Sequence, residues 1–370
     1  MRDVLSERLL ATVMGWSPED VARERPILQA LGDLKYDEYQ QYSPGMRFVE
    51  SLALWLSQFE FPDERSIAYN WVRSKLVFLS NAEITHIVSM AFPDVIRPIL
   101  LHKAAVILNL PSSRIKTIVN SVEYKVLMRQ SLFLGLSDGA RTDLFRRLNP
   151  ELSHEQVWQT YEVSPPKAED MLSRLGDDLK KLLARDPTNE ERCFHLLFLL
   201  DDFSASGISY LRRSADGMEF EGKIHKVLQT VSADLKSLFS AHDLQIYVVL
   251  YVATQKSLTH INLLLDEWFK GNGNRYVCHL QPVYSLSDSF SGVSDQEPTF
   301  IDLLKKYFDP GIINDHYRKG KQDNPYLGFD ECALPLVLTH NCPNNSIPLL
   351  WFEEGRKYRG LFPRISRHKQ

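Results

Sequence analysis

The chain is poor in cysteine: four in 370 residues (Cys193, Cys278, Cys332 and Cys342), none in a C-x-x-C pair. The histidines are scattered as well, so clustered cysteine–histidine metal sites are excluded, and the free thiols suit a reduced cytoplasm. No uninterrupted apolar run approaches the roughly twenty residues that a membrane span needs. Glu7, Arg8, Glu19 and Asp20 break up the amino terminus, which therefore does not read as a signal peptide. An excess of either charge is also missing: 43 Lys and Arg stand against 47 Asp and Glu, a net −4. The whole surface thus gives no electrostatic reason to expect nucleic acid as a partner. A P-loop ATPase is excluded by the absence of G-x-x-x-x-G-K-[ST]. The nearest candidate, Arg318-Lys319-Gly320-Lys321, has the wrong spacing and no strand before it. What is present, 44% hydrophobic and 24% charged residues, is ordinary for a soluble globular protein with length for two or three domains.

One stretch organises the rest. Phe194 to Ser209 reads FHLLFLLDDFSASGIS: an apolar strand, two adjacent acids, then a loop of Ser204, Ala205, Ser206, Gly207 and Ser209. A continuous apolar run suits a central strand of a parallel sheet covered on both faces. Asp201 and Asp202 then lie at its carboxyl end, where α/β sheets bind ligands. Small residues let the loop amides approach a phosphate. The ligand this chemistry points to is a polyanion joined to a polyol.

Asp201-Asp202-Phe203-Ser204-Ala205-Ser206-Gly207-Ile208-Ser209 resembles, without a gap, the PRPP-binding motif of the phosphoribosyltransferases. It departs at Ala205, where a hydroxyl is usual, and at Ile208, where a second glycine is common. The resemblance implies that Asp201 and Asp202 hold the ribose hydroxyls or magnesium-bound water and are the catalytic acids. It also implies that Ser204, Ala205, Ser206, Gly207 and Ser209 form the 5-phosphate loop.

Upstream, Leu132 to Leu136 is a short apolar strand, followed by Ser137-Asp138-Gly139-Ala140-Arg141 and a helical pattern over Thr142 to Leu148. A strand, a glycine turn and a helix start leave amides pointing outward, which suits an anion. An ordinary turn with a surface arginine is the plainer reading. In the resemblance this is the pyrophosphate loop, with Ser137, Asp138, Gly139 and Arg141 as its contacts and Lys167 or Arg174 as candidate lid residues.

The remaining pattern alternates. Val157 to Val163 is a strand or a lid, and Pro165-Pro166 opens a helix with Met171, Leu175 and Leu179 on one face. Gly217 to Gly222 reads as a turn before a helix through Ile224, Val227 and Val231. Leu244 to Ala253 is a second apolar strand, followed by a helix through Ile261 and Trp268, a turn at Gly271 to Asn274, and a strand from Arg275 to Leu280. Alternation of this kind predicts an α/β fold with a doubly wound parallel sheet, of phosphoribosyltransferase type.

Residues up to about 120 read as helices, with Phe48, Leu52, Trp55, Leu56 and Phe59 on one stripe and a break expected at Pro93 or Pro98. Three regions follow: a helical adaptor or cap over residues 1–122, the α/β domain over 123–352, and a basic tail over 353–370. Ser285 to Pro298 is a polar loop expected to be mobile. His340-Asn341-Cys342-Pro343-Asn344-Asn345 is by default a structural corner, with recognition of a ligand's polar edge as the alternative.

The helical front, the acidic motif and the late HNCPNNSIPLLWF also resemble a bacterial branch of phosphoribosyltransferase-like proteins associated with conflict systems and anti-phage defence. That implies PRPP or a related ribose phosphate as ligand, magnesium through the ligand and no directly assigned metal residue. A protein partner would dock through the helical region, with no membrane involvement. A catalytically silent sensor or scaffold fits the same residues, so the sequence leaves catalysis open.

Overall fold

The computed structural model describes residues 2–160, 163–233, 235–240, 243–271, 277–287, 289–293 and 298–365. The chain divides into two units, one made of Thr85–Ser287 and the other of Met1–Ile84 with Asp288–Gln370.

The first unit is built on a parallel five-stranded sheet. Its strands are β1 (Ser131–Gly135), β2 (Val157–Trp158), β3 (Leu196–Ser204), β4 (Gln245–Thr254) and β5 (Val277–Leu286). Helices α1 (Thr142–Leu148), α2 (Pro165–Leu183), α3 (Lys223–Ala233) and α4 (Gln255–Gly271) alternate with them. The spatial order is β2-β1-β3-β4-β5, every pair parallel. From β1 the chain moves outward to β2, then returns past β1 to reach β3. The winding direction therefore reverses between β1 and β3, and α/β sheets bind ligands at the carboxyl ends of strands flanking such a reversal.

Both faces of β1, β3 and β4 are buried, which is why these strands are nearly continuously apolar, whereas the edge strand β5 alternates exposed and buried residues. Leu132, Leu134, Leu197, Leu199, Ile246 and Val248 share one core with Met171, Leu175 and Leu179 of α2, Ile224 and Val227 of α3, and Ile261 of α4. The other face carries an in-register aromatic row, Phe133, Phe198, Tyr247 and His279, with ring centroids 5.0, 5.2 and 5.0 Å apart. Each stacked aromatic pair contributes about 0.5–1.5 kcal/mol beyond its buried area. Phe145 of α1 packs on Phe133 at 5.4 Å and extends this face.

The second unit packs the amino-terminal helices (Arg2–Met14, Pro18–Leu34, Phe48–Ser57 and Pro62–Lys75) with the carboxyl-terminal segment. Ser17 caps the second of these helices, its side chain accepting from the Asp20 amide. Val77–Leu79, read from the sequence as helical, instead pairs in parallel with Leu336–Leu338. Leu361 and Phe362 are fully buried, and Phe362 lies against Tyr36, Tyr39, Tyr42, Phe48 and Phe78.

Three expectations change here. The unit boundaries fall near 84 and 288 rather than 122 and 352, because the strand pair and Phe362 tie the two chain ends together. For the same reason the basic tail is not a solvated appendage as far as Ile365; Arg367 and Lys369 lie outside the described residues. The helix through Pro93 and Pro98 is not broken. A π-helical turn at Ala91–Ile96 absorbs the missing proline donor, and Arg97–Ile107 continues. The resulting stretch, Asn81–Ile107, is long and apolar enough to cross a membrane by length and composition, although Glu83, Asp94, Arg97 and Lys103 interrupt it. Core helices pass the same measure, and Phe92, Ile96, Leu100 and Ala104 form such a buried stripe.

Of the Gly271–Asn274 turn and the Ser285–Pro298 loop, residues 272–274, 288 and 294–297 lie outside the described residues, as do Arg275 and Tyr276 before β5 and Tyr161 and Glu162 of the strand-or-lid segment.

Candidate functional site

The last β1–β3 backbone contact carries the Leu136 amide to the Leu200 carbonyl at 2.9 Å. Beyond it β1 has turned away into the 137–141 loop, while β3 continues to Ser204 alongside β4. Asp201 and Asp202 therefore do not follow the strand; they lie within it, past the end of its neighbour. That opening at the winding reversal is the candidate site.

Adjacent strand residues point to opposite faces, and the two acids consequently have different surroundings. Asp201 is completely buried. Its Oδ1 accepts from the Ser137 hydroxyl and, at 3.1 Å, from the Asp202 amide. Its Oδ2 lies 2.6 Å from the Tyr210 hydroxyl and 2.5 Å from the Lys223 ammonium. A carboxylate has about four acceptor positions, and four donors already converge on this one. Burial, helped by the Asp202 charge, pushes the Asp201 carboxyl above the ordinary range, and Lys223 pulls against it. Burial and the neighbouring acids also push the Tyr210 phenol well up, which keeps it a neutral donor.

Asp202 is half-buried, with Oδ1 accepting from the Phe203 amide at 2.8 Å. Its carboxylate lies against Gly139 of the first loop. Arg141, also half-buried, takes a left-handed backbone (φ 46°) that turns the chain into α1. Burial lowers the Arg141 pKa while the negative charge of Asp202 opposes that shift. Asp138 is exposed at the start of the same turn. The structure thus brings Ser137, Gly139 and Arg141 of the first loop together with Asp201 and Asp202.

The second loop is tightly held. The Ser204 and Ser257 hydroxyls are 2.6 Å apart, and the Thr254 hydroxyl donates to the Ala205 carbonyl. Ser206 is buried and accepts weakly from the Ile208 amide at 3.4 Å. The Ser204 hydroxyl thus faces an inward partner, and the Ser206 hydroxyl meets an amide of its own loop. Gly207 is required: its φ is +79°, and a Cβ there would lie 2.9 Å from His260 and 3.1 Å from the Ser257 carbonyl. Among the described residues, the amides of Ser206, Gly207 and Ser209 have no acceptor. Three such amides in one turn form a concavity suited to an anion.

A small hairpin, Arg212–Arg213 against Phe220–Glu221, separates this loop from α3. The chain returns through Gly222, whose Cβ would strike the Tyr210 carbonyl, and the Lys223 amide then donates to the Ser209 carbonyl at 3.1 Å. Sequence reading missed Tyr210 and Lys223. Their only signal was position: an aromatic residue closing the loop, and a lysine after a glycine at a helix start.

The first loop also spells Gly135-Leu136-Ser137-Asp138-Gly139, the G-x-S-x-G spacing of a nucleophile elbow. Ser137 has ordinary extended backbone (φ −155°), and its hydroxyl meets a carboxylate rather than an imidazole. It lacks both the strained turn and the base of that arrangement. Lys167 and Arg174 are engaged elsewhere, each pairing with Glu155 and Asp170. The His340–Asn345 corner belongs to the other unit and serves structure there: Asn345 donates to the Phe329 carbonyl at 3.1 Å, and Gln41 donates to the His340 carbonyl at 2.8 Å.

Comparison with known proteins gives one match: the family model PRTase-CE covers residues 52–364. No curated protein and no solved structure matches the chain.

Proposed function

Because the chain belongs to the PRTase-CE family, a phosphoribosyltransferase-like family, we propose that its α/β unit binds PRPP or a related ribose phosphate at the β1–β3 opening, on a doubly wound sheet of the type I kind. The observation that carries this reading is the convergence, at the winding reversal, of an accessible acid (Asp202), an arginine-bearing turn and a loop of amides without acceptors.

In this reading the 5-phosphate rests on the amides of Ser206, Gly207 and Ser209. Asp202 accepts from the ribose hydroxyls and fixes the sugar. Gly139 and Arg141 face the pyrophosphate, where hydrogen bonds and positive charge stabilise a leaving group that gains charge as the anomeric bond breaks. Asp201 holds Ser137, Tyr210 and Lys223 in place rather than touching the sugar.

Among the described residues no group of three or more Asp, Glu, His or Cys could hold a metal. Magnesium is compatible with that, because it is held through one or two carboxylates plus the ligand's phosphates. Asp138 and Asp202 are the acids that fit, since either would repel a pyrophosphate unless a cation lay between them. Bound there, magnesium would neutralise charge on the leaving pyrophosphate.

Transfer to an acceptor or to water, in a cytoplasmic anti-phage setting with a protein partner on the helical region, is the fuller form of the proposal and draws on the resemblance alone. A second reading, a sensor that binds the same ligand and regulates a partner without catalysis, is favoured by one observation: Asp201 is fully engaged by internal donors, which leaves one accessible acid of the pair.

Calorimetric titration with PRPP and magnesium, with pyrophosphate followed in the same samples, tests both. Wild type should bind, and Asp202→Asn should lose at least about tenfold in affinity. Pyrophosphate release selects the enzyme, and binding without release selects the sensor. A wild-type protein that binds no PRPP would sink the proposal.

A further inference from the structure

Lys223 is assigned nothing by the acidic motif, lies 22 residues beyond Asp201, and yet reaches the centre of the site. Its backbone amide is bonded to Ser209, the last residue of the amide loop. Its ammonium bonds Asp201 Oδ2 and lies 4.8 Å from the Tyr210 ring centroid. One residue is therefore fastened by its main chain to the second loop and by its side chain to the acid that also receives Ser137 of the first.

An ammonium has three donors. Among the described residues Asp201 is the hydrogen-bond acceptor that Lys223 meets, and the lysine side chain remains about one-third exposed (32%) while Asp201 is at 0%. The pair is thus lopsided: a sealed anion and a partly exposed cation with donors to spare. Asp201 cannot turn toward a ligand without breaking up its four donors, whereas Lys223 can take a further acceptor without moving.

We propose that in this chain the first acid of the pair is the counter-ion of Lys223, and that Lys223 is an anion-contacting residue of the site, delivering positive charge to a phosphate oxygen. Ser137 and Tyr210 are positioning residues that fix Asp201 as its base. The inference rests on the ribose-phosphate reading above, and it names a contact that the motif places on no residue. The Tyr210 ring beneath the ammonium and the short bond to Asp201 restrict its motion, so little side-chain entropy remains to be lost when a ligand binds.

The test compares wild type, Lys223→Met, Lys223→Arg and the double variant Asp201→Asn/Lys223→Met, titrated with PRPP and with ribose 5-phosphate at two salt concentrations. Lys223→Met leaves Asp201 buried without its cation and risks the fold; the double variant removes both charges and keeps the comparison usable. Loss of a charged hydrogen bond predicts about ten- to a hundredfold weaker binding in both methionine variants, with partial recovery in Lys223→Arg. Their affinity should also respond less to salt, which a merely structural lysine would not cause. A larger loss for PRPP than for ribose 5-phosphate assigns Lys223 to the pyrophosphate, and an equal loss assigns it to the 5-phosphate. If wild type and the folded double variant bind alike, with the same salt response, Lys223 is not a ligand contact even though the ribose-phosphate reading stands. If wild type binds neither probe, both fall together.

Discussion

Gly139 lies so close to the Asp202 carboxylate that a Cβ on it would overlap Oδ2 and crowd Cγ at 2.6 Å. This approach joins the loop after β1 to the accessible acid on β3, and it sets where that acid can point. The backbone at Gly139 is outside the left-handed region, so alanine fits it conformationally and the conflict is confined to the side chain it meets. A carboxylate at the end of a short chain can move aside at modest cost. Gly139→Ala should therefore leave thermal stability within about 1 kcal/mol of wild type. Its PRPP affinity should fall by about tenfold or more, because Asp202 is displaced from its ligand-facing position. Calorimetry beside a melting curve checks this. A variant that binds normally would show that Asp202 need not occupy its present position.

Much of this site is legible in the residues, and the remainder is hidden for identifiable reasons. The apolar run, the two acids and Gly207 announce a strand and a tight loop, because each residue type has a local physical requirement. The division of labour between Asp201 and Asp202 is not local. It depends on β1 ending at Gly135, one position short of Asp201, and on a lysine 22 residues later. No spacing rule ties Lys223 to Asp201, since a hairpin whose length could vary lies between them. The chain ends were misread for a similar reason: Phe362 sits among basic residues that read as a solvated tail, and only the aromatic cluster of the opening helices shows where it goes.

That cluster yields a stability prediction. Phe362 is fully buried and touches five aromatic rings, while the Phe362 carbonyl accepts from the Tyr39 hydroxyl at 3.0 Å. Phe362→Ala should cost about 3–5 kcal/mol, the range for emptying a large buried aromatic site. Truncation before Arg359 should cost at least as much, because Leu361 and the bonds that Ser51 and Gln58 donate to Leu361 and Arg359 go with it. Denaturant melts of the full chain would show the loss. A truncated chain with an unchanged melt would return the terminus to the status of an appendage.

Acid provides the third test, through Glu191 on the segment leading to β3. Arg185 bonds it with two guanidinium nitrogens at 2.8 and 2.6 Å, and the Thr188 amide adds a third bond at 2.7 Å. Arg185 first, then the Thr188 amide, holds the carboxyl down at about 2. An unfolded glutamate titrates near pH 4.3, about two units higher. Between those values the unfolded chain binds the extra proton, so stability rises with pH across the window. The contribution is complete above about pH 5 and is lost as pH falls through about 2. Arg185 is half exposed, so solvent screening keeps the contribution of the pair small. Glu191→Gln should therefore be slightly less stable than wild type at pH 6, and the gap should narrow steadily toward pH 3 in urea melts. A gap independent of pH would mean that the variant loses shape or hydrogen bonding rather than charge, and that the Arg185–Glu191 pair adds nothing through ionisation.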